Sequence, residues 1–140
     1  MIQKKKIIGC IHSGWKGALE GIIKNTLKKL LKLECRTEDL IFAIGPCISK
    51  KNYEVGEEFY KKFIKKNKQN DLFFESKKNA KYLFDLGEFI RKELINLGVK
   101  NIDSLKMDTF SNEESFFSYR RSSKRKEKDY GRCISVILMT

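Results

Sequence analysis

One histidine, one tryptophan and one proline are all that 140 residues contain. The scarcity of proline, with a hydrophobic share of 41% and an aromatic share of 11%, excludes a disordered or low-complexity chain and fits a folded globular one. Four cysteines are present, Cys10, Cys35, Cys47 and Cys133, with no CxxC pair and no metal-knuckle spacing. That excludes a zinc ribbon, and free thiols in a reducing cytoplasm are expected. Long apolar runs are also missing. The run Ile7 to Ile11 is too short for the core of a signal peptide, and no later run reaches membrane-spanning length, so no membrane partner is expected.

Acidic residues are few as well: 18 against 30 basic ones, a net charge of +12. Such an excess fits a nucleic-acid partner in principle, because neutralising phosphates takes many lysines and arginines. Only 6 of the 30 basic residues are arginine, the residue favoured for base readout and bidentate phosphate contacts, and no recognisable nucleic-acid module accompanies them. Nucleic acid is therefore not the expected partner. The length predicts one domain over residues 1–140.

What is there reads as an α/β chain. Residues Lys6 to Ile11 are apolar and β-branched without polar alternation, which predicts a strand covered on both faces. From Ala18, the residues Leu19, Ile22, Ile23, Leu27, Leu30, Leu31 and Leu33 recur at helical spacing, with Ser13 and Gly14 as cap and turn. A second strand, Leu40 to Ile44, ends at Gly45-Pro46. A short helix is predicted within Tyr53 to Lys66, then a lysine- and asparagine-rich loop. The clearest later helix is capped by Asp85, with Glu88 three residues on, and stopped by Gly98. The tail predicts a strand at Ile102 to Met107, an extended "FFSYRR" segment, a charged hairpin-like loop at Ser122 to Asp129, and a last strand at Cys133 to Met139.

Three places could carry chemistry. His12 sits where the first predicted strand gives way to a loop before a helix, the position at which α/β proteins expose ligand-binding groups. A lone histidine is more often structural, but Gly14 and Gly17 permit close backbone approach, Lys16 adds a cation, and a helix N-terminus follows. Trp15 reads most simply as a ring closing the end of the core. Cys47, after the Gly-Pro turn, could pair with His12 as a nucleophile, while the simpler reading is a small buried residue in a tight turn. "FFSYRR" delivers Tyr119, Arg120 and Arg121 together. Adjacent side chains on an extended chain point opposite ways, so one arginine is expected in a pocket and the other in solvent or on an acidic partner.

Taken in order, "HSGWKG", "IGPCI" followed by "YEVG", "FFSYRR" and the late "GR" before an apolar strand form a specific series. The chain resembles, from Ile7 to Leu138, the bacterial laccase-domain proteins, also known as multicopper polyphenol oxidoreductases, peptidoglycan-editing factors and purine nucleoside phosphorylases. The resemblance implies an α/β fold, a mixed sheet with flanking helices, of which this chain is the C-terminal part. It implies phosphorolysis of adenosine, inosine and methylthioadenosine, with adenosine deamination; copper-dependent phenol oxidation is the family's older label. It also implies one metal, zinc or alternatively copper, held by two histidines and one cysteine.

The last of those ligands falls on His12. The other two belong to upstream motifs, Gln-Val-His-Gly and Ala-Asp-Cys, that this sequence does not contain. The expectation is an N-terminally truncated domain with an incomplete metal site, and one histidine cannot hold a zinc ion tightly. Two smaller departures are Lys16, where arginine is commoner, and Asp108, where the family has cysteine. By charge, Arg120, Arg121 and Lys16 are the candidates for a phosphate site. The expected partners are a purine nucleoside, phosphate and an upstream-encoded chain supplying the absent half. The alternatives are an inactive relic and a basic nucleic-acid-binding module.

Overall fold

The computed structural model describes residues 6–139. Residues 1–5 and 140, the ends of the expected domain, lie outside the described residues. Among the described residues, two sheets and five α-helices are formed, and aromatic side chains fill the space between the larger sheet and its helices.

The first helical segment is broken in two: α1 spans Trp15–Glu20 and α2 spans Ile22–Lys32, separated by Gly21 at φ +90°. The periodic apolar residues continue through the break, so Ala18, Ile23 and Leu27 are all buried. Strand β1 (Ile41–Ile44) pairs in parallel with β5 (Asn101–Ser104), Ile41 opposite Asn101. The parallel contact continues irregularly beyond the strands, through an isolated bridge between Cys47 and Asp108.

The second sheet is antiparallel, in the order β2 (Glu54–Gly56), β4 (Lys81–Phe84), β3 (Phe74–Lys77). The sequence reading placed β3 in a lysine-rich loop. It forms because Asn79 and Ala80 both take positive φ, 58° and 51°, which turns the chain tightly, and because Phe74 then stacks on Phe84 at 4.7 Å. Helix α3 (Glu57–Lys66) packs Phe63 onto Phe84 at 4.7 Å, and α4 (Leu86–Asn96) brings Phe89 to within 5.2 Å of Phe63. Phe63, Phe84 and Leu94 are sealed from solvent. Each ring pair adds about 0.5–1.5 kcal/mol beyond its buried area.

Helix α4 bears out its predicted ends. The Asp85 carboxylate accepts from the Glu88 N–H at 2.9 Å, and Gly98, at φ +85°, donates to the Ile95 carbonyl at 2.9 Å. A Cβ at Gly98 would meet only Thr37 at an ordinary 3.7 Å, so the cost of Gly98→Ala is conformational. We expect a loss of about 1 kcal/mol, read as a lower urea midpoint at unchanged slope.

Two predicted strands are absent. Residues 6–11 and 133–139 are exposed and without ladder pairing, although Cys10 Sγ lies 3.7 Å from the Ser135 carbonyl oxygen. A strand requires a neighbour's N–H and C=O groups, and none is offered to either segment among the described residues. The "FFSYRR" segment is not extended either: its last three residues open α5 (Tyr119–Arg125), which takes up half of the expected hairpin-like loop.

Candidate functional site

The turn before α1 folds back on itself. His12 is exposed, and its Nε2 atom stands 3.1 Å from where a Cβ on Gly14 would be, so a side chain there would make the imidazole shift by a few tenths of an ångström. Gly14, not Ser13, occupies the cap position, and no side chain caps the six-residue helix. The Ser13 hydroxyl is buried without a hydrogen-bond partner among the described residues. Trp15 does close the end of the core, its ring 4.9 Å from Phe59 and under the Lys62 ammonium at 5.7 Å. Lys16 is exposed and has no hydrogen bond or ion pair among the described residues.

From Trp15 a row of rings leads to the arginines. Phe59 lies 6.0 Å from Tyr53, and the Arg120 guanidinium lies over the Tyr53 ring at 5.3 Å. Burial pushes the Tyr53 phenol up, and the positive charge of Arg120 draws it part of the way back. Arg120 makes no salt bridge among the described residues, so its charge is available to an anion. Arg121 turns the other way. Its Nη1 donates to the carbonyls of Thr109 and Phe110, both at 2.9 Å, and its Nη2 to that of Phe116 at 2.6 Å. The two arginines meet different partners, by helical geometry and not by the extended geometry that the sequence reading expected.

Asp108, which the sequence reading marked only as a departure from the pattern and gave no role, gathers four donors. Its carboxylate accepts from the backbone N–H of Ser49 and of Phe110, each at 3.0 Å, from Asn52 Nδ2 at 2.6 Å and from Ser111 Oγ at 2.7 Å. Burial opposes its charge, but these four donors outweigh burial and hold the carboxyl well below the usual range. The aspartate thus ties the Ser49–Tyr53 loop, which presents Tyr53, to the Thr109–Ser111 turn that Arg121 clasps. No local pattern in the sequence pairs it with Asn52 and Ser111, which the fold brings to its carboxylate.

Cys47 is half-buried, with its thiol raised first by burial and then by Asp85 and Asp108. A thiol held protonated is a poor nucleophile, and no hydrogen bond joins it to His12 among the described residues. Nor do three His, Cys, Asp or Glu side chains converge among the described residues into a group that could hold a metal. One exposed histidine does not fit a zinc or copper centre by itself. Two open grooves, of about 320 and 210 Å³, flank α5; Arg121 lines the smaller, and His12, Lys16 and Arg120 line neither. No helix among the described residues is long and apolar enough to cross a membrane.

The pattern of sequence and fold is shared with known proteins. The family model for multi-copper polyphenol oxidoreductase laccase matches residues 1–140. A purine nucleoside phosphorylase of Rickettsia conorii is 40% identical over 135 residues, covering 96% of this chain and 55% of that protein. The purine nucleoside phosphorylase YfiH of Escherichia coli is 30% identical, covering 93% and 50%. Among solved structures, the hypothetical protein YfiH of Bacillus licheniformis superposes with a TM-score of 0.72 at 30% identity, covering 80% of this chain and 43% of that one. The chain spans about half the length of the curated relatives it matches. On a match running its whole length, the chain belongs to the multi-copper polyphenol oxidoreductase laccase family.

Proposed function

We propose that the chain forms the phosphate- and nucleoside-handling part of a purine nucleoside phosphorylase acting on adenosine, inosine and methylthioadenosine, with adenosine deamination at the same site. The observation that carries this reading is the likeness to the Rickettsia conorii phosphorylase across 96% of the chain. In phosphorolysis a phosphate oxygen bonds to C1′ of the ribose as the C1′–N bond to the purine breaks, and the purine leaves with the bonding pair. Two things must be supplied: charge to hold the phosphate, and a flat surface for the purine.

Arg120 and Lys16 are the proposed phosphate ligands, since neither charge is spent in an ion pair among the described residues. Tyr53 lies under Arg120 and offers the ring face. Arg121 acts in this reading as a positioning residue, because its donors hold the loop from which α5 and Arg120 emerge. His12 is the proposed single ligand contributed to a zinc ion whose other ligands come from polypeptide equivalent to the relatives' unmatched half.

The test is release of hypoxanthine from inosine and of adenine from adenosine and methylthioadenosine, with and without phosphate. The chain is assayed alone and with the recombinant part of the Rickettsia conorii relative that lies outside the match. Phosphate-dependent release is expected in the mixture. Arg120→Ala should raise the phosphate KM about tenfold to a hundredfold, the worth of one charge-assisted contact, and change stability by less than about 1 kcal/mol. An unchanged phosphate KM in that variant removes Arg120 from the site, and absence of phosphate-dependent release in the mixture removes the reading.

A further inference from the structure

We infer that Tyr60 and Tyr82 form an oxidative modification site: a one-electron oxidant in solution couples the two phenols into a covalent cross-link between α3 and β4, with Asp71 taking the Tyr60 proton. None of the three belongs to the proposed phosphate and nucleoside site.

The pair follows from how the larger sheet meets α3. Side chains two apart on a strand share a face, so Tyr82 lies on the face of β4 that carries the buried Phe84. Helix α3 covers that face, with Phe59 5.2 Å and Phe63 4.7 Å from Phe84. Tyr60, next along the helix, meets Tyr82 beside them. The two rings are parallel to within 2°, their centroids 4.2 Å apart. Phe74 stands at 89° to Tyr60 and 90° to Tyr82, at 5.1 and 6.2 Å, and walls the pair in on one side. Both tyrosines are only half-buried, so a small oxidant reaches them.

The turn Lys68–Phe73 supplies the third group. The Tyr60 hydroxyl donates to Asp71 Oδ1 at 2.8 Å, in an exposed position. That bond, ahead of burial, pushes the Tyr60 phenol up from its ordinary value. Tyr60 is thus held as a neutral phenol whose proton must leave with the electron, and the carboxylate is the base in position to take it.

Each ring gives one electron to the oxidant and loses its phenolic proton, Tyr60 to Asp71 and Tyr82 to water. The resulting phenoxyl radicals carry unpaired density on the carbons ortho to oxygen, in orbitals perpendicular to the ring. Parallel stacked rings point those orbitals at each other, so an ortho carbon of Tyr60 bonds to an ortho carbon of Tyr82. The two ortho hydrogens then move to the ring oxygens through solvent and restore both phenols. In sum, two electrons pass to the oxidant, two protons pass to Asp71 and water, two C–H bonds break and one C–C bond forms.

The chain carries its own comparison. Tyr119 and Tyr130 are also close, at 5.0 Å, but cross at 66°, and neither hydroxyl makes a hydrogen bond among the described residues. An edge-on pair presents a C–H to a face and has no base beside it.

The experiment oxidises the dilute 140-residue chain with photogenerated tris(bipyridine)ruthenium(III), persulfate accepting the electrons, and maps cross-linked peptides by mass spectrometry. An intramolecular Tyr60–Tyr82 product lighter by two hydrogens is expected, at least about tenfold above any Tyr119–Tyr130 product. Tyr82→Phe keeps the ring and removes the phenol, so this product disappears while the far-ultraviolet circular dichroism stays unchanged. Should that variant disturb folding, Tyr60→Phe serves in its place. Asp71→Asn keeps an acceptor for the hydroxyl but no base, and should slow oxidation of Tyr60 at least about tenfold. The slowing should vanish at alkaline pH, where Tyr60 is already a phenolate.

No Tyr60–Tyr82 product, a Tyr119–Tyr130 product in equal yield, or cross-links only between molecules overturns the inference. So does Asp71→Asn oxidising as fast as the parent, or a slowing that persists at alkaline pH.

Discussion

Arg121→Ala is expected to destabilise the chain by about 3 kcal/mol, lowering the melting temperature by roughly 10 °C. The side chain is only 11% exposed and fans its donors over three carbonyls, those of Thr109, Phe110 and Phe116. Truncation leaves three partly buried acceptors with no donor from the chain, and bonds to a charged group are the stronger kind. Glu113, 3.7 Å from Arg121 Nε, would lose one of its two arginines but keep the other, Arg125. Arg121→Lys restores the charge without the planar fork, so we expect it to recover less than half of the loss. Thermal melts of the three proteins measure this. Equal melting temperatures for Arg121→Ala and the parent would mean that the carbonyls find other donors.

The second large effect is at Asp108. Asp108→Ala removes the shared acceptor of Ser49, Phe110, Asn52 and Ser111, and the donors left behind are partly buried. We expect a loss of about 2–4 kcal/mol. Asp108→Asn keeps the shape but replaces one carboxylate oxygen with a donor, so it should recover only part of this. The pH dependence follows from the depressed carboxyl. Because the folded value lies below the unfolded one, the stabilisation is complete above the unfolded value of about 3.9 and is lost as pH falls below it. The stability gap between the parent and Asp108→Asn should therefore be constant near neutral pH and shrink below about pH 4. A gap that widens on acidification would mean that the carboxylate is not the group stabilised by folding.

The two positions fail in different ways, although both brace the same corner. Arg121 holds the Thr109–Phe116 turn to α5, which carries Arg120. Asp108 holds that turn to the Ser49–Tyr53 loop, which carries Tyr53. Loss of either should loosen the stacking of Arg120 on Tyr53, and so reduce phosphate affinity along with stability. Arg120→Ala is expected to touch affinity alone.

Much of this was written in local sequence. The apolar period from Ala18 to Leu33 gave one helix, which Gly21 splits into α1 and α2, while Asp85 and Gly98 gave both ends of α4 and Leu40 to Ile44 gave β1, because spacing, caps and turn glycines act within a few residues. The "HSGWKG" to "FFSYRR" series was enough to place the chain in its family. Tertiary structure decided the rest, through contacts that no local pattern encodes. Residues 6–11 and 133–139 have the side chains of strands but are not strands, since a strand is defined by its neighbour. Asn79 and Ala80 turn a lysine-rich stretch into a hairpin because Phe74 finds Phe84 to stack on. Arg120 and Arg121 are identical in sequence terms, yet one meets a ring and the other three carbonyls. Asp108 gathers donors from up to 59 residues away, and only the fold brings them to its carboxylate.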